Sequence, residues 1–407
     1  MGDFYQNGII TTLHNLSQRP LEELEAELVQ FSKTRPLALI LPCLYSELEG
    51  EAMPNIIEHL KQVPYLTEIV IGLDRADEHQ YREALKFFSV LPQKHKVLWN
   101  DGPRLRAVDK TLKGEELSPL EPGKGRNVWF CMGYTLASGN AESVAMHDCD
   151  ILTYDRELLA RLIYPVANPN FNYEFCKGFY SRIANGKMNG RVSRLLVTPL
   201  LRALKKVFGN MDYLDYLDSY RYPLAGEFSF RRDVMNDIRI PSDWGLEIGV
   251  LSEMKRNYSN NRLCQVDIAD VYDHKHQDLS LENEDTGLSK MSIDITKAIF
   301  RKLATNGIVF NQETFRTIKA TYFRIALDFV ETYRNDAVIN GLSFDVHQEE
   351  QAVELFASNI MKAGNHFLQF PMEAPFISSW NRVISAFPGV LDQLTSAVEE
   401  DMAQYAE

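Results

Sequence analysis

Asp148 and Asp150 flank Cys149 in the stretch SVAMHDCDILTYDRELL (143–159), directly after a short apolar run. In extended backbone the side chains at i and i+2 share one face, so both carboxylates converge on one point. Like charges that close repel each other, and a cation relieves the repulsion. Hard carboxylate oxygens at a strand end suit Mg²⁺ or Mn²⁺ bridging a diphosphate. The plainer alternative is a chance acidic pair in a loop. EPGKGRNVWF (121–130) sets Gly-Lys-Gly before a helix. Backbone amides at a helix start, with Lys124 beside them, make a phosphate seat. The G-x-x-x-x-G-K-[ST] spacing is absent, so this is not a P-loop, and a turn with a solvated lysine is the competing reading.

Three further stretches carry chemistry. In DVYDHKHQ (270–277), His274 and His276 share one face of an extended segment. A histidine can complete a metal shell begun by carboxylates, although exposed histidines in polar loops are common. In NGRVSRLLVTPLLRALKKVFG (189–209), an amphipathic helix begins with Arg191, Ser193 and Arg194 in its first turn. Cations there oppose the helix dipole; an anion bound at the N-terminus explains them, and a solvated face is the alternative. YPLAGEFSFRR (222–232) and DWGLEIGVLSEM (243–254) each hold an acid among apolar neighbours, Glu227 and Glu247. A half-buried carboxylate needs partners, and sugar hydroxyls serve well; for Glu247, helix capping serves equally.

The elements that must position these residues alternate. LEELEAELVQFSKT (21–34) predicts a helix with Leu21, Leu24, Leu28 and Phe31 on one stripe. Residues 36–42, 66–74, 96–99 and 143–147 read as buried strands, and 51–62, 77–91 and 126–138 as helices. Alternation of this kind predicts an α/β fold, a mostly parallel sheet flanked by helices, with ligands at the carboxyl ends of strands. Asp74 and Asp148 both stand at such an end. After the polar break ENEDTG (282–287) helical patterns dominate, and Phe315, Ile318, Tyr322, Ile325 and Phe329 form an apolar seam. The seam packs on its own domain or makes a dimer contact.

The chain has 407 residues and a net charge of −13, with 45% hydrophobic residues. Length predicts a main domain with an appendage. The acidity argues against nucleic-acid binding, which normally needs a basic face. No apolar stretch is long enough for a membrane span, and the start of the chain has no signal-peptide pattern. Five cysteines form no CxxC pair, which predicts reduced, buried thiols and a cytoplasmic protein.

Taken in order, ALILPCLYSELEGE, EIVIGLD, PGKGRNVWF, VAMHDCDI, GRVSRLLVTPLL, PLAGEFSFRR, DWGLEIGVL and YDHKHQ resemble glycosyltransferases of the GT-A fold. More closely, they resemble the glucosyl-3-phosphoglycerate synthase family over residues 36–280. The resemblance implies a hexosyltransferase that moves glucose from UDP-glucose to 3-phosphoglycerate with retention, using Mg²⁺ or Mn²⁺. GDP-mannose enzymes are its neighbours, and a nonenzymatic sugar-nucleotide sensor is the rival from another class.

The resemblance also implies roles for individual residues. Pro42, Cys43, Leu44 and Glu47 line the nucleotide pocket, and Asp74 stands at the uridine end. There GLDRADE replaces the family's serine-rich stretch, leaving the base contacts open. Lys124 binds the diphosphate, and Asp148 reaches the ribose and metal shell. Asp150 binds the metal, His274 is the third ligand, and Glu247 holds the donor sugar. Gly190, Arg191 and Ser193 cradle the acceptor phosphate, serine standing where threonine is usual. His276 contacts the acceptor in place of an asparagine. The sequence divides into an N-terminal helical segment (1–35), a GT-A domain (36–285) and a C-terminal helical region (286–407), read as the dimerisation element of a homodimer or as a scaffold.

Overall fold

The structure, a computed structural model, describes residues 6, 8–17, 19–119, 122–274, 287–373 and 376–406. Its strands are β1 Thr11–Leu13, β2 Leu37–Leu44, β3 Leu66–Asp74, β4 Lys94–Trp99, β5 Ser143–Met146, β6 Phe175–Tyr180, β7 Ile183–Ala184, β8 Lys187–Met188, β9 Phe228–Arg231 and β10 Leu263–Ala269. Eight of them build one sheet in the order β1-β10-β6-β9-β5-β2-β3-β4, while β7 and β8 form a small hairpin. Within the sheet only β9 runs antiparallel, wedged between β5 and β6. The predicted mostly parallel, helix-flanked α/β architecture is what the chain adopts.

β2 shows why. Its residues Leu37–Leu41 are fully buried, as expected of a parallel strand covered on both faces. Ala38 and Ile40 join one core, while Leu37, Leu39, Leu41 and Cys43 join the other. This period of two divides the interior into a layer on each side of the sheet. The helix Lys124–Ser138 belongs to the first layer, and the helices Ala52–Leu60 and Arg156–Ala167 to the second.

One expectation meets a different arrangement. Residues 1–35 were predicted as a helical segment; the helix is Leu21–Ser32, but the segment also supplies β1, which pairs with β10 at the sheet edge. The predicted boundary near 285 lies outside the described residues, as does His276. A single buried cluster draws on residues from both sides of it, from Ile10 to Val398. Trp380 stacks on Trp129 with centroids 4.3 Å apart, and Trp380 Nε1 donates to the Trp129 carbonyl at 2.9 Å. Phe315, Ile318 and Tyr322 of the apolar seam are fully buried against their own chain. Tyr322 Oη donates to the Leu195 carbonyl at 2.6 Å.

Among the described residues, no helix is long and apolar enough to cross a membrane. The five cysteines are unpaired and buried.

Candidate active site

The site forms where β5 ends. Past Met146 the chain leaves the sheet through His147, whose buried ring sits 4.9 Å from that of Tyr154. Asp148 then meets Lys124, the first residue of the helix Lys124–Ser138, with Nζ 2.6 Å from Oδ1. Lys124 also approaches Glu247 Oε1 at 3.4 Å. Glu247 lies in the first turn of the helix Leu246–Asn257, as the sequence predicts. Burial works to lower the Lys124 pKa, but Asp148 and Glu247 override it and hold the ammonium charged. Burial likewise works against the Asp148 carboxylate, and Lys124 reverses that, keeping it below its usual range. So Lys124, Asp148 and Glu247, separate in sequence, form one ionic cluster.

Glycine permits this approach. A Cβ on Gly226 would overlap the Asp148 carboxylate, and one on Gly125 would overlap the Pro241 carbonyl. The two glycines in PLAGEF and PGKGR thus let backbone close on the cluster.

Asp150 and His274 meet through backbone pairing. Ile151 bridges His274 antiparallel, and Leu152 N donates to the Asp273 carbonyl at 2.9 Å. This register brings His274 Nδ1 to 3.4 Å from Asp150 Oδ2. Asp150 Oδ1 is buried and accepts no hydrogen bond among the described residues. A carboxylate with one uncommitted oxygen beside an imidazole is a donor set that fits a divalent cation.

The nucleotide-side residues sit at the ends of β2 and β3. Pro42 and Leu44 are partly exposed, whereas Cys43 is fully buried and offers no surface of its own to a ligand. Glu47 folds back to accept from Leu44 N at 2.9 Å. Burial pushes its carboxyl up to about 7; the Leu44 amide opposes the rise, and Asp150 and Asp148 add to it. Asp74 is buried, 3.9 Å from Arg126, and its pKa is raised by burial.

On the acceptor side the sequence reading needs two corrections. The helix expected over 189–209 begins with a π-helical segment, Val192–Val197, before the α-helix Thr198–Phe208. The anion that answers Arg191 and Arg194 is internal. Glu349, from the helix Val346–Gln369, accepts from Arg191 Nε at 2.7 Å and from Arg194 Nη2 at 2.9 Å. Nothing local to Arg191 signals a partner 158 residues away.

Glu227 also finds its partners within the chain. Tyr180 and Tyr272 donate to its two oxygens at 2.7 and 2.6 Å, and their rings stack at 3.7 Å. The hydroxyls beside Glu227 are therefore phenolic ones from the protein. Burial raises its pKa, with Asp148 adding to the rise. Lys177 on β6, which sequence reasoning missed, is buried and donates to the Ala225 carbonyl.

No family model matches the chain. It is similar to the glucosyl-3-phosphoglycerate synthase of Persephonella marina, 48% identical over 98% of this chain and 99% of that protein. The enzyme of the same name from Methanococcoides burtonii is 38% identical over 100% of this chain and 99% of its own length. Among solved structures, glucosyl-3-phosphoglycerate synthase from Mycobacterium tuberculosis, in complex with Mn²⁺, UDP-glucose and phosphoglyceric acid, superposes with a TM-score of 0.53. It is 20% identical and covers 74% of this chain and 89% of that one. Mannosyl-3-phosphoglycerate synthase from Rubrobacter xylanophilus superposes with a TM-score of 0.54 at 18% identity, over 74% and 83% of the two chains. The two structures share the fold, and the two full-length relatives share sequence from end to end: the chain belongs to the glucosyl-3-phosphoglycerate synthase family.

Proposed function

We propose that the protein transfers glucose from UDP-glucose to 3-phosphoglycerate with retention at the anomeric carbon, giving glucosyl-3-phosphoglycerate. The observation that carries this reading is the convergence of Asp150, with its uncommitted oxygen, and His274 beside the Lys124–Asp148–Glu247 cluster, in a member of this family. Asp150, His274 and Asp148 would hold Mg²⁺ or Mn²⁺, and the cation would supply Lewis-acid stabilisation of negative charge on the diphosphate. Lys124 binds that diphosphate and stabilises its charge as it leaves. Pro42, Cys43, Leu44, Glu47 and Asp74 line the nucleotide end, and Glu247 orients the sugar hydroxyls. Gly190 and Ser193 receive the acceptor, beside the Arg191 guanidinium that Glu349 holds.

In the transfer, the bond from the anomeric carbon to the diphosphate breaks. A bond to the acceptor hydroxyl forms on the same face, and the hydroxyl proton passes to the departing diphosphate. Correct placement of the two substrates carries much of the rate gain.

We further read the chain as a cytoplasmic homodimer, with residues 286–407 as its scaffold. Five unpaired, buried cysteines accord with a reducing compartment, and exposed Val338 and Ile339 accord with a contact surface. Sedimentation of the full chain tests the dimer, and a single monomeric species ends that part of the reading.

The decisive experiment pairs UDP-glucose and GDP-mannose with 3-phosphoglycerate and glycerate in the presence of Mg²⁺. Turnover with UDP-glucose and 3-phosphoglycerate is expected, and turnover only with GDP-mannose overturns the donor. Asp150→Ala should lower kcat by at least about a thousandfold, matching several kcal/mol of lost stabilisation. It should also abolish Mn²⁺ binding by electron paramagnetic resonance while the fold remains intact. Retained Mn²⁺ affinity would remove Asp150 from the metal site.

A further inference from the structure

The acceptor loop holds a cation to which the site described above gives no role. Arg182 lies in SRIANGKMNG (181–190), two residues past β6. Its carbonyl accepts from Asn189 N at 2.8 Å, which closes the loop back towards Gly190. Gly190 has φ +76°, and a Cβ there would stand 3.5 Å from Arg182 Cδ and 3.3 Å from Tyr222 Oη. Arg182 therefore flanks the glycine that opens the acceptor cradle.

Among the described residues, no carboxylate pairs with it. Nη1 donates to Tyr222 Oη at 3.3 Å, a long bond to a neutral group. Nε is buried and has no hydrogen-bond partner among the described residues. Burial works to lower its pKa, and the phenols of Tyr222, Tyr180 and Tyr272 outweigh that effect. Arg191 and Arg194, by contrast, share Glu349.

Two further donors, in the π-helical segment that follows the loop, lack acceptors among the described residues. Ser193 is 4% exposed, and neither its buried Oγ nor Arg194 Nη1 has a hydrogen-bond partner among the described residues. A buried donor left unmatched is costly, and more so when it is charged. An oxyanion brings several acceptor oxygens at once, and a planar guanidinium matches phosphate and carboxylate in a bidentate fork.

We propose that Arg182 is an acceptor-binding residue that, with Ser193, takes oxygens of an anionic group of the acceptor. The inference rests on the acceptor reading given under Proposed function. Arg182→Gln should raise the KM for 3-phosphoglycerate about 10- to 100-fold, the worth of one charged hydrogen-bonding contact. The KM for UDP-glucose should stay within about twofold. Arg182→Lys keeps the charge and loses the fork, so it should fall between, and it carries the test if the glutamine variant does not fold.

Two acceptor analogues identify the anionic group. If Arg182 reads the phosphate, the penalty disappears with glycerate; if it reads the carboxylate, the penalty disappears with glycerol 3-phosphate. An unchanged acceptor KM in a folded variant overturns the proposal, as does an equal rise in both KM values. Should the native protein not turn over 3-phosphoglycerate, the acceptor reading itself fails. Calorimetric titration with inorganic phosphate, with UDP and Mg²⁺ present, then decides: weaker binding by Arg182→Gln sustains the anion site, and equal or absent binding in both proteins ends it.

Discussion

Lys177 shows at the scale of one residue how closely this site spaces its charges. The side chain is 1% exposed and lies 5.2 Å from the Phe228 ring centroid. Burial lowers its pKa from 10.5 to about 8, against the pull of Glu247 and Glu227. Between those values the folded chain binds fewer protons than the unfolded one. Stability therefore rises with pH through that window, and the cost of the buried charge is fully present below it. Lys177→Met removes this dependence. Its stability relative to the native protein should be most favourable below pH 8 and should decline by about 3 kcal/mol by pH 10.5. Urea unfolding of both proteins across that range measures the difference, and parallel curves would contradict the buried-charge account. Lys177 was not legible in the sequence because nothing marks a lysine inside FCKGFY as buried. Asp148, Asp150 and Lys124 were legible, because a carboxylate pair at a strand end and a lysine at a helix start are local patterns.

Between elements, the contact that matters most is the one Glu349 makes. The helix Val346–Gln369 presents a carboxylate that is 3% exposed to two guanidinium groups, and so fixes the π-helical segment that follows Gly190. Breaking a buried ion pair from one side is costly because the remaining charges stay in place. Glu349→Ala should destabilise the fold by about 3–5 kcal/mol, and Glu349→Gln, whose amide oxygen still accepts, by less. A shift in urea midpoint at constant slope tests this; equal, small effects of the two substitutions would show that the ion pairs contribute little. Sequence reasoning found the cations at the helix start and the need for an anion, but not its source. Strand order was hidden for a related reason. β6 and β9 are short and carry Lys177, Gly178 and Ser229 in their middles. Their place in the sheet is set by neighbours far along the chain.

For the molecule as a whole, the reciprocal indole contacts bind the C-terminal region into the core of the sheet domain. Trp129 Nε1 donates to the Ser378 carbonyl at 2.8 Å while Trp380 donates back. Truncating a buried tryptophan to alanine typically costs about 3–5 kcal/mol. Trp380→Ala should lose that much, and calorimetry of the native chain should show one cooperative transition, with both regions unfolding together. Two resolved transitions would separate them. The helical nature of residues after 286 was legible from periodicity, whereas their docking was not, because a helix stripe does not name the surface it covers.

The placement of β1 and of the last helix has a consequence for how the chain acquires its structure during synthesis. One edge of the sheet is completed when β1 pairs with β10, more than 250 positions later: Thr12 lies opposite Gln265. The other edge, β4, is met by the helix Val390–Tyr405: Lys96 pairs with Glu399 at 3.1 Å, and Val97 N donates to Met402 Sδ at 3.5 Å. β9 must also insert between two strands already made. Such long-range closure slows folding, and an uncovered strand edge is a template for pairing with another chain. A nascent chain halted before residue 390 therefore leaves β4 without that cover and open to pairing with another chain.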